Sequence, residues 1–128
     1  MDSAGTAIPS PEALIEVLLP VARAGDTITY QGLASELALV PPHTIHRVTR
    51  GLEALMAVDA EAGRPPLAVV VVSRARGGLP APGFFLAARR LGFIAPAEHA
   101  PAELHRGLHE AVTAAARSGA WSTRPARD

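Results

Sequence analysis

The 128-residue chain has no cysteine, no lysine and no asparagine. Without cysteine there is no disulfide, no thiolate metal site and no thiol nucleophile, which fits a reducing compartment. Without lysine, all 12 basic residues are arginine, a bias without functional weight of its own. Aromatic residues make up only 4%, so the core must be built mainly from Ala, Leu and Val. The formal net charge is zero, which argues against a protein that coats nucleic acid indiscriminately. No segment approaches the ~20 apolar residues that span a bilayer. The opening MDSAGTAIPS lacks the basic patch and apolar run of a secretory signal, so a soluble, cytoplasmic protein is expected. The rest is ordinary globular material, 48% hydrophobic and 19% charged, enough for one domain with a core.

The charge is unevenly placed. Residues 1–42 hold Arg23 against Asp2, Glu12, Glu16, Asp26 and Glu36. Residues 43–90 hold Arg47, Arg50, Arg64, Arg74, Arg76, Arg89 and Arg90 against Glu53, Asp59 and Glu61. The first stretch is therefore −4 and the second +4, and the remainder balances.

Along the chain, residues 1–9 read as a flexible leader. Ser10-Pro11 opens a first helix, with a hydroxyl to cap free amides and a proline where its missing N–H is harmless. Leu14, Ile15, Leu18 and Leu19 share its inner face; Pro20 should kink or end it, the alternative being that Val21-Ala-Arg-Ala continues it to Gly25 as a C-terminal cap. Thr29 is placed to cap a second helix from Tyr30 to about Leu39, which Pro41-Pro42 stops. A third helix starts at His43 or Thr44. Its apolar stripe is Ile45, Val48, Leu52 and Leu55, and its opposite face carries His46, Arg47, Arg50 and Glu53. Leu67 to Val72 is β-branched and continuous, and predicts a buried strand. Residues 74–83 form a cationic turn punctuated by glycine and proline, and Phe84 to Gly92 a short helix. After a linker, Pro101 opens a last helix to about Ser118, facing inward with Leu104, Leu108, Val112 and Ala115. Residues 119–128 read as a frayed tail apart from Trp121.

These elements predict an α+β fold: a winged helix-turn-helix core over residues 10–92 with a small β element, flanked by helices at both ends. The 93–118 segment supplies a linker and a helix packed on that core. Two short helices joined by a tight turn are the skeleton of a helix-turn-helix, and a strand with a basic turn behind it would make the wing.

The order of motifs resembles two families. Gly25-Asp-Thr-Ile-Thr-Tyr-Gln-Gly-Leu-Ala is similar to the entry and helix start of the winged-helix domain of O6-alkylguanine-DNA alkyltransferases and alkyltransferase-like proteins. His46-Arg-Val-Thr-Arg-Gly-Leu52 resembles their recognition helix more loosely. The active-site pattern Pro-Cys-His-Arg-Val is absent, so transfer of an alkyl group to a protein thiol is excluded. The base-displacing arginine of that family falls on His46, with Arg47 beside it. The closer likeness is to an uncharacterised bacterial family that shares TY-x-x-LA, G-x-PPL and G-LP-x-x-GFF-x-x-AR-x-LG. The matching residues here are Thr29-Tyr-Gln-Gly-Leu-Ala, Gly63-Arg-Pro-Pro-Leu and Gly78 to Gly92. That likeness brings no activity with it.

The expected function is a small non-enzymatic DNA-binding protein, regulatory or damage-sensing, with its third helix in the major groove and the glycine-rich turn as wing. Its double-stranded DNA contacts are expected from Tyr30, Gln31, Thr44, His46, Arg47, Arg50, Arg74 and Arg76. The guanidinium groups suit phosphates and base edges, and the amides at Tyr30 and Gln31 suit a phosphate. A solvated basic face and a packed tyrosine are the plain alternatives. His105 and His109 stand at the i,i+4 spacing of a zinc pair but lack a third ligand and an intervening Glu motif, so no metal and no cofactor are expected. They, and His43 with His46, read as exposed histidines. No nucleophile–base pair marks an enzyme. The rival reading is a protein-interaction module of docking, immunity or adaptor type on the same fold, with a homodimer among the options.

Overall fold

A computed structural model describes residues 7–95 and 100–121. The first six positions of the expected leader, part of the 93–100 linker and the last seven residues of the expected tail lie outside that range. Among the described residues there are five α-helices and a two-stranded parallel sheet, an α+β arrangement. In order they are α1 (Pro11–Arg23), β1 (Ile28–Thr29), α2 (Tyr30–Glu36), α3 (Thr44–Ala62), β2 (Val71–Val72), α4 (Pro82–Arg90) and α5 (Pro101–Arg117). None of these helices is long and apolar enough to cross a membrane.

The first helix forms as its sequence dictates. Ser10 Oγ accepts the Ala13 N–H at 3.1 Å, and Leu14, Leu18, Leu19 and Ala22 are buried. Pro20 does not end it. Pro20 and Glu16, whose carbonyl loses its partner, both lie on the exposed side, so the helix runs on to Arg23. Residues 7–9 are not a loose leader either. Ala7 accepts a hydrogen bond from Arg47, and Pro9 crosses α3 so closely that a Cβ on Gly51 would meet the Pro9 carbonyl oxygen at 3.0 Å.

Thr29 Oγ1 accepts the Gly32 N–H at 2.9 Å and opens α2. That helix ends at Glu36, three residues before the expected Leu39. Ala38 takes a left-handed conformation, φ 56°, normally a glycine's position. The Leu39 N–H then reaches back to the Ala34 carbonyl and the Ala38 N–H to that of Ser35, closing the helix six-to-one and five-to-two.

The expected strand at Leu67–Val72 is mostly a 3₁₀ turn, Leu67–Val70, with only Val71–Val72 extended. All six residues are buried, as anticipated. The segment packs against α1, α3 and α5, and β1 offers it just two residues to pair with, Ile28 opposite Val71 and Thr29 opposite Val72. Buried amides without a neighbouring strand must find partners nearby. The Val69 N–H bonds the Pro66 carbonyl at 3.0 Å, and Val71 reaches that of Ala68. The outward Val69 carbonyl receives His105 Nε2 at 3.0 Å.

Asp59 holds the entry to this turn. Although charged, it is fully buried. Its carboxylate accepts from the Leu67 N–H at 3.0 Å, the Trp121 indole N–H at 2.8 Å and Arg64 Nε at 3.0 Å. Burial pushes its pKa up, against the opposing pull of these three donors. Trp121 is thereby fixed in the core, 2% exposed. At the same, C-terminal end of α5, two arginines exchange bonds with helix ends: Arg117 Nε donates to the Arg23 carbonyl and Arg23 Nε to that of Ala116.

The basic turn is compact. Ser73 and Leu79 form a single antiparallel bridge, enclosing a 3₁₀ turn at Arg74–Arg76 and two left-handed glycines, Gly77 and Gly78. The chain then enters α4 at Pro82, two residues earlier than expected, burying Phe84 and Phe85 edge-to-face.

Candidate functional site

Thr29 ends β1 and starts α2, so the first residues of α2 stand beside the segment that leaves the partner strand β2. That segment is the Ser73–Leu79 turn. Between this turn, the start of α2 and the outer face of α3 lies a cleft of about 490 Å³. It is lined by Tyr30 and Gln31 of α2, Ile45 and Thr49 of α3, and Ser73, Arg74 and Ala75 of the turn, with Thr29 and Ala81 at its edges.

Tyr30 is its central polar group. The hydroxyl accepts the Ala81 N–H at 3.0 Å, tying α2 to the entry of α4. Burial raises its pKa above the ordinary 10, while the Ala81 bond and the positive charge of Arg76 pull the other way. At neutral pH the phenol therefore keeps its proton and can donate it. Thr49 Oγ1 donates to the Ile45 carbonyl at 2.9 Å, leaving its lone pairs as acceptors.

Of the eight residues singled out in the sequence, Tyr30, Gln31 and Arg74 line this cleft. Arg76 is near enough for its charge to act on Tyr30. His46 and Arg50 are exposed and follow Ile45 and Thr49 by one residue each, so they flank the cleft along α3; Thr44, half-buried, begins that helix. Arg47 is elsewhere. Expected on the outer face, it is 4% exposed. Its Nε donates to the Ala7 carbonyl at 2.7 Å and its Nη1 to the carbonyls of Val40 and Pro42 at 2.8 and 3.2 Å. It braces the N-terminal segment and the turn before α3.

Conversely, Ile45, expected in the core, is 40% exposed at the cleft. Thr49 carries no charge or aromatic ring to draw notice. A signal is present: both stand one helical turn apart, on the edge of the stripe that the buried Val48, Leu52 and Leu55 define.

The histidines of α5 are not exposed bystanders. His105 Nε2 meets the Val69 carbonyl and His109 Nε2 that of Asp26 at 2.9 Å, with ring centroids 5.8 Å apart. Burial, and then the neighbouring His109, lower the pKa of His105, against the opposing effect of its bond to Val69. Among the described residues no three His, Asp or Glu groups converge to hold a metal.

No family model, curated protein or solved structure matches this chain. The chemistry of the cleft therefore rests on its own geometry.

Proposed function

We propose that the protein is a small non-enzymatic DNA-binding protein of winged-helix type, regulatory or damage-sensing, which sets the outer edge of α3 in the major groove. The Ser73–Leu79 turn takes the part of a shortened wing against the phosphate backbone. One observation carries this reading: Ile45 and Thr49 of α3 and Arg74 of the turn line the same cleft. The outer edge of the middle helix and the arginine turn thus share one surface, flanked by His46, Arg50 and Arg76. The cleft between them, about 490 Å³, has room for a single displaced base, with the Tyr30 hydroxyl to donate to it. The resemblance of the 25–34 segment to alkyltransferase-like proteins points the same way, whereas the arginine that displaces the base in that family is replaced here by His46.

The test is duplex binding, measured by fluorescence anisotropy at increasing salt, for wild type and for Arg50→Ala, Arg74→Ala and Arg76→Ala. Each substitution should weaken binding to all sequences and make the salt dependence shallower by about one counterion. Absence of binding at low ionic strength, or affinities untouched by all three changes, would refute the reading. Protein docking is the second reading. It is favoured by the zero net charge and by Leu86 on α4, which is 65% exposed. A partner retained from lysate after nuclease treatment, with no DNA recovered, would decide for it.

A further inference from the structure

Behind the cleft lies a smaller space of about 50 Å³, and the two share Tyr30, Thr49 and Ala81. The inner wall is apolar, formed by Leu52, Met56, Ala68 and Phe84, with one exception. Glu53 is half-buried there, and makes no hydrogen bond or ion pair with a described residue. Its Oε2 lies 3.8 Å from where a Cβ on Gly83 would stand, at the first turn of α4. The positive end of that helix suits a carboxylate and explains why it rests there. With no protein donor among the described residues, its oxygens are open to water and to whatever enters the space.

The three polar groups at this junction have defined roles. Tyr30 already accepts from Ala81 and so has a proton to give. Thr49 already donates to Ile45, so it can only accept. An ionised carboxylate accepts only. The inner end of the cleft therefore offers one donor and several acceptors, while its outer rim is cationic. An occupant that complements both ends has an anionic group outside and an edge rich in N–H donors inside. Resting on the DNA-binding reading above, we infer that Glu53 is a specificity-determining residue. The cleft takes a displaced base that presents amino or imino N–H groups, and disfavours thymine. Guanine, cytosine and adenine each carry an exocyclic amine on the edge that would enter. Thymine sets a carbonyl on either side of its single N–H, and those oxygens would face the carboxylate.

The experiment uses the full chain and short labelled duplexes in which one central G, A, C or T stands opposite an abasic site, with a fully paired duplex as reference. Wild type should bind the amine-bearing bases about tenfold more tightly than thymine, the discrimination that one good polar interaction provides. Glu53→Gln, which can both donate and accept, should shrink that ratio to about twofold, and Glu53→Ala should abolish it. Circular dichroism establishes that each variant is folded, and the isosteric Gln keeps the test valid if Ala is not. A wild type that ranks the four bases equally, or a ratio that survives in Glu53→Gln, overturns the inference. If unpaired and paired duplexes bind alike, the inference falls while groove binding stands. If no duplex binds, both fall together.

Discussion

Removing the Asp59 carboxylate should cost more than any change at the surface, and its size is set by the donors left behind. Asp59→Ala strips the acceptor from three donors. The Leu67 N–H and the Trp121 indole N–H are buried, and each left unsatisfied costs about 1–3 kcal/mol. Arg64 is different: its side chain is 25% exposed and can turn to water, so its loss adds little. The total is about 3–5 kcal/mol, a large part of the ~5–15 kcal/mol that holds a domain folded. Urea unfolding followed by far-ultraviolet circular dichroism measures it. The fluorescence of Trp121, the only tryptophan, reports in parallel on whether the end of the chain stays docked. Trp121→Phe should lose about 1–2 kcal/mol, and Asp59→Ala made on that background should cost less than on wild type. A loss below about 1 kcal/mol for Asp59→Ala, or strictly additive effects, would show that the carboxylate does not organise this region.

Arg47→Ala should destabilise the fold by about 2–4 kcal/mol, since it leaves the carbonyls of Ala7, Val40 and Pro42 without their donor, and the salt dependence of any duplex binding should keep its slope. Tyr30 is the only tyrosine, so an alkaline absorbance titration sees it alone; its midpoint should lie above 10, and a midpoint at or below 10 refutes the buried, hydrogen-bonded phenol. His105 has a folded pKa below its ordinary 6.5, so it contributes stability that is present above 6.5 and lost as pH falls through the folded value. Urea midpoints should drop as pH falls below about 6.5 in wild type, and His105→Gln, whose amide can still donate to Val69, should flatten that dependence.

The helices are legible in the sequence wherever local chemistry decides their ends. Ser10, Thr29 and the proline at the start of α5 mark boundaries because a capping hydroxyl or a missing N–H acts within one turn. The valine run is legible as buried but not as 3₁₀, because composition reports burial, whereas extension depends on a partner strand that β1 is too short to supply. The role of Asp59 cannot be read at all. Its donors lie at positions 64, 67 and 121, and only the folded chain brings the last of these to it. The cleft is half legible: the motif around Tyr30 and the arginines of the turn stand out, while Ile45, Thr49 and Glu53 look like core, filler and solvated face in a helix read alone.

The placement of Arg47 constrains how this surface could hold DNA. Burial on α3 recurs at 47 and 48, 51 and 52, 55 and 56, and 59, a stripe two residues wide at nearly every turn. The stripe leaves Ile45, His46, Thr49, Arg50 and Glu53 outward or half-outward, with Arg50 the permanent cation among them. Attraction to phosphate then falls on Arg50 together with Arg74 and Arg76. Three phosphate partners give a slope of log affinity against log salt near about −3, far shallower than proteins that neutralise six to ten phosphates. Affinity for an ordinary duplex should accordingly be modest at physiological salt, and discrimination should come from the group that enters the cleft. A measured slope steeper than about −5 would mean that cations outside this surface bind the backbone, and that the cleft is not at the centre of the interface.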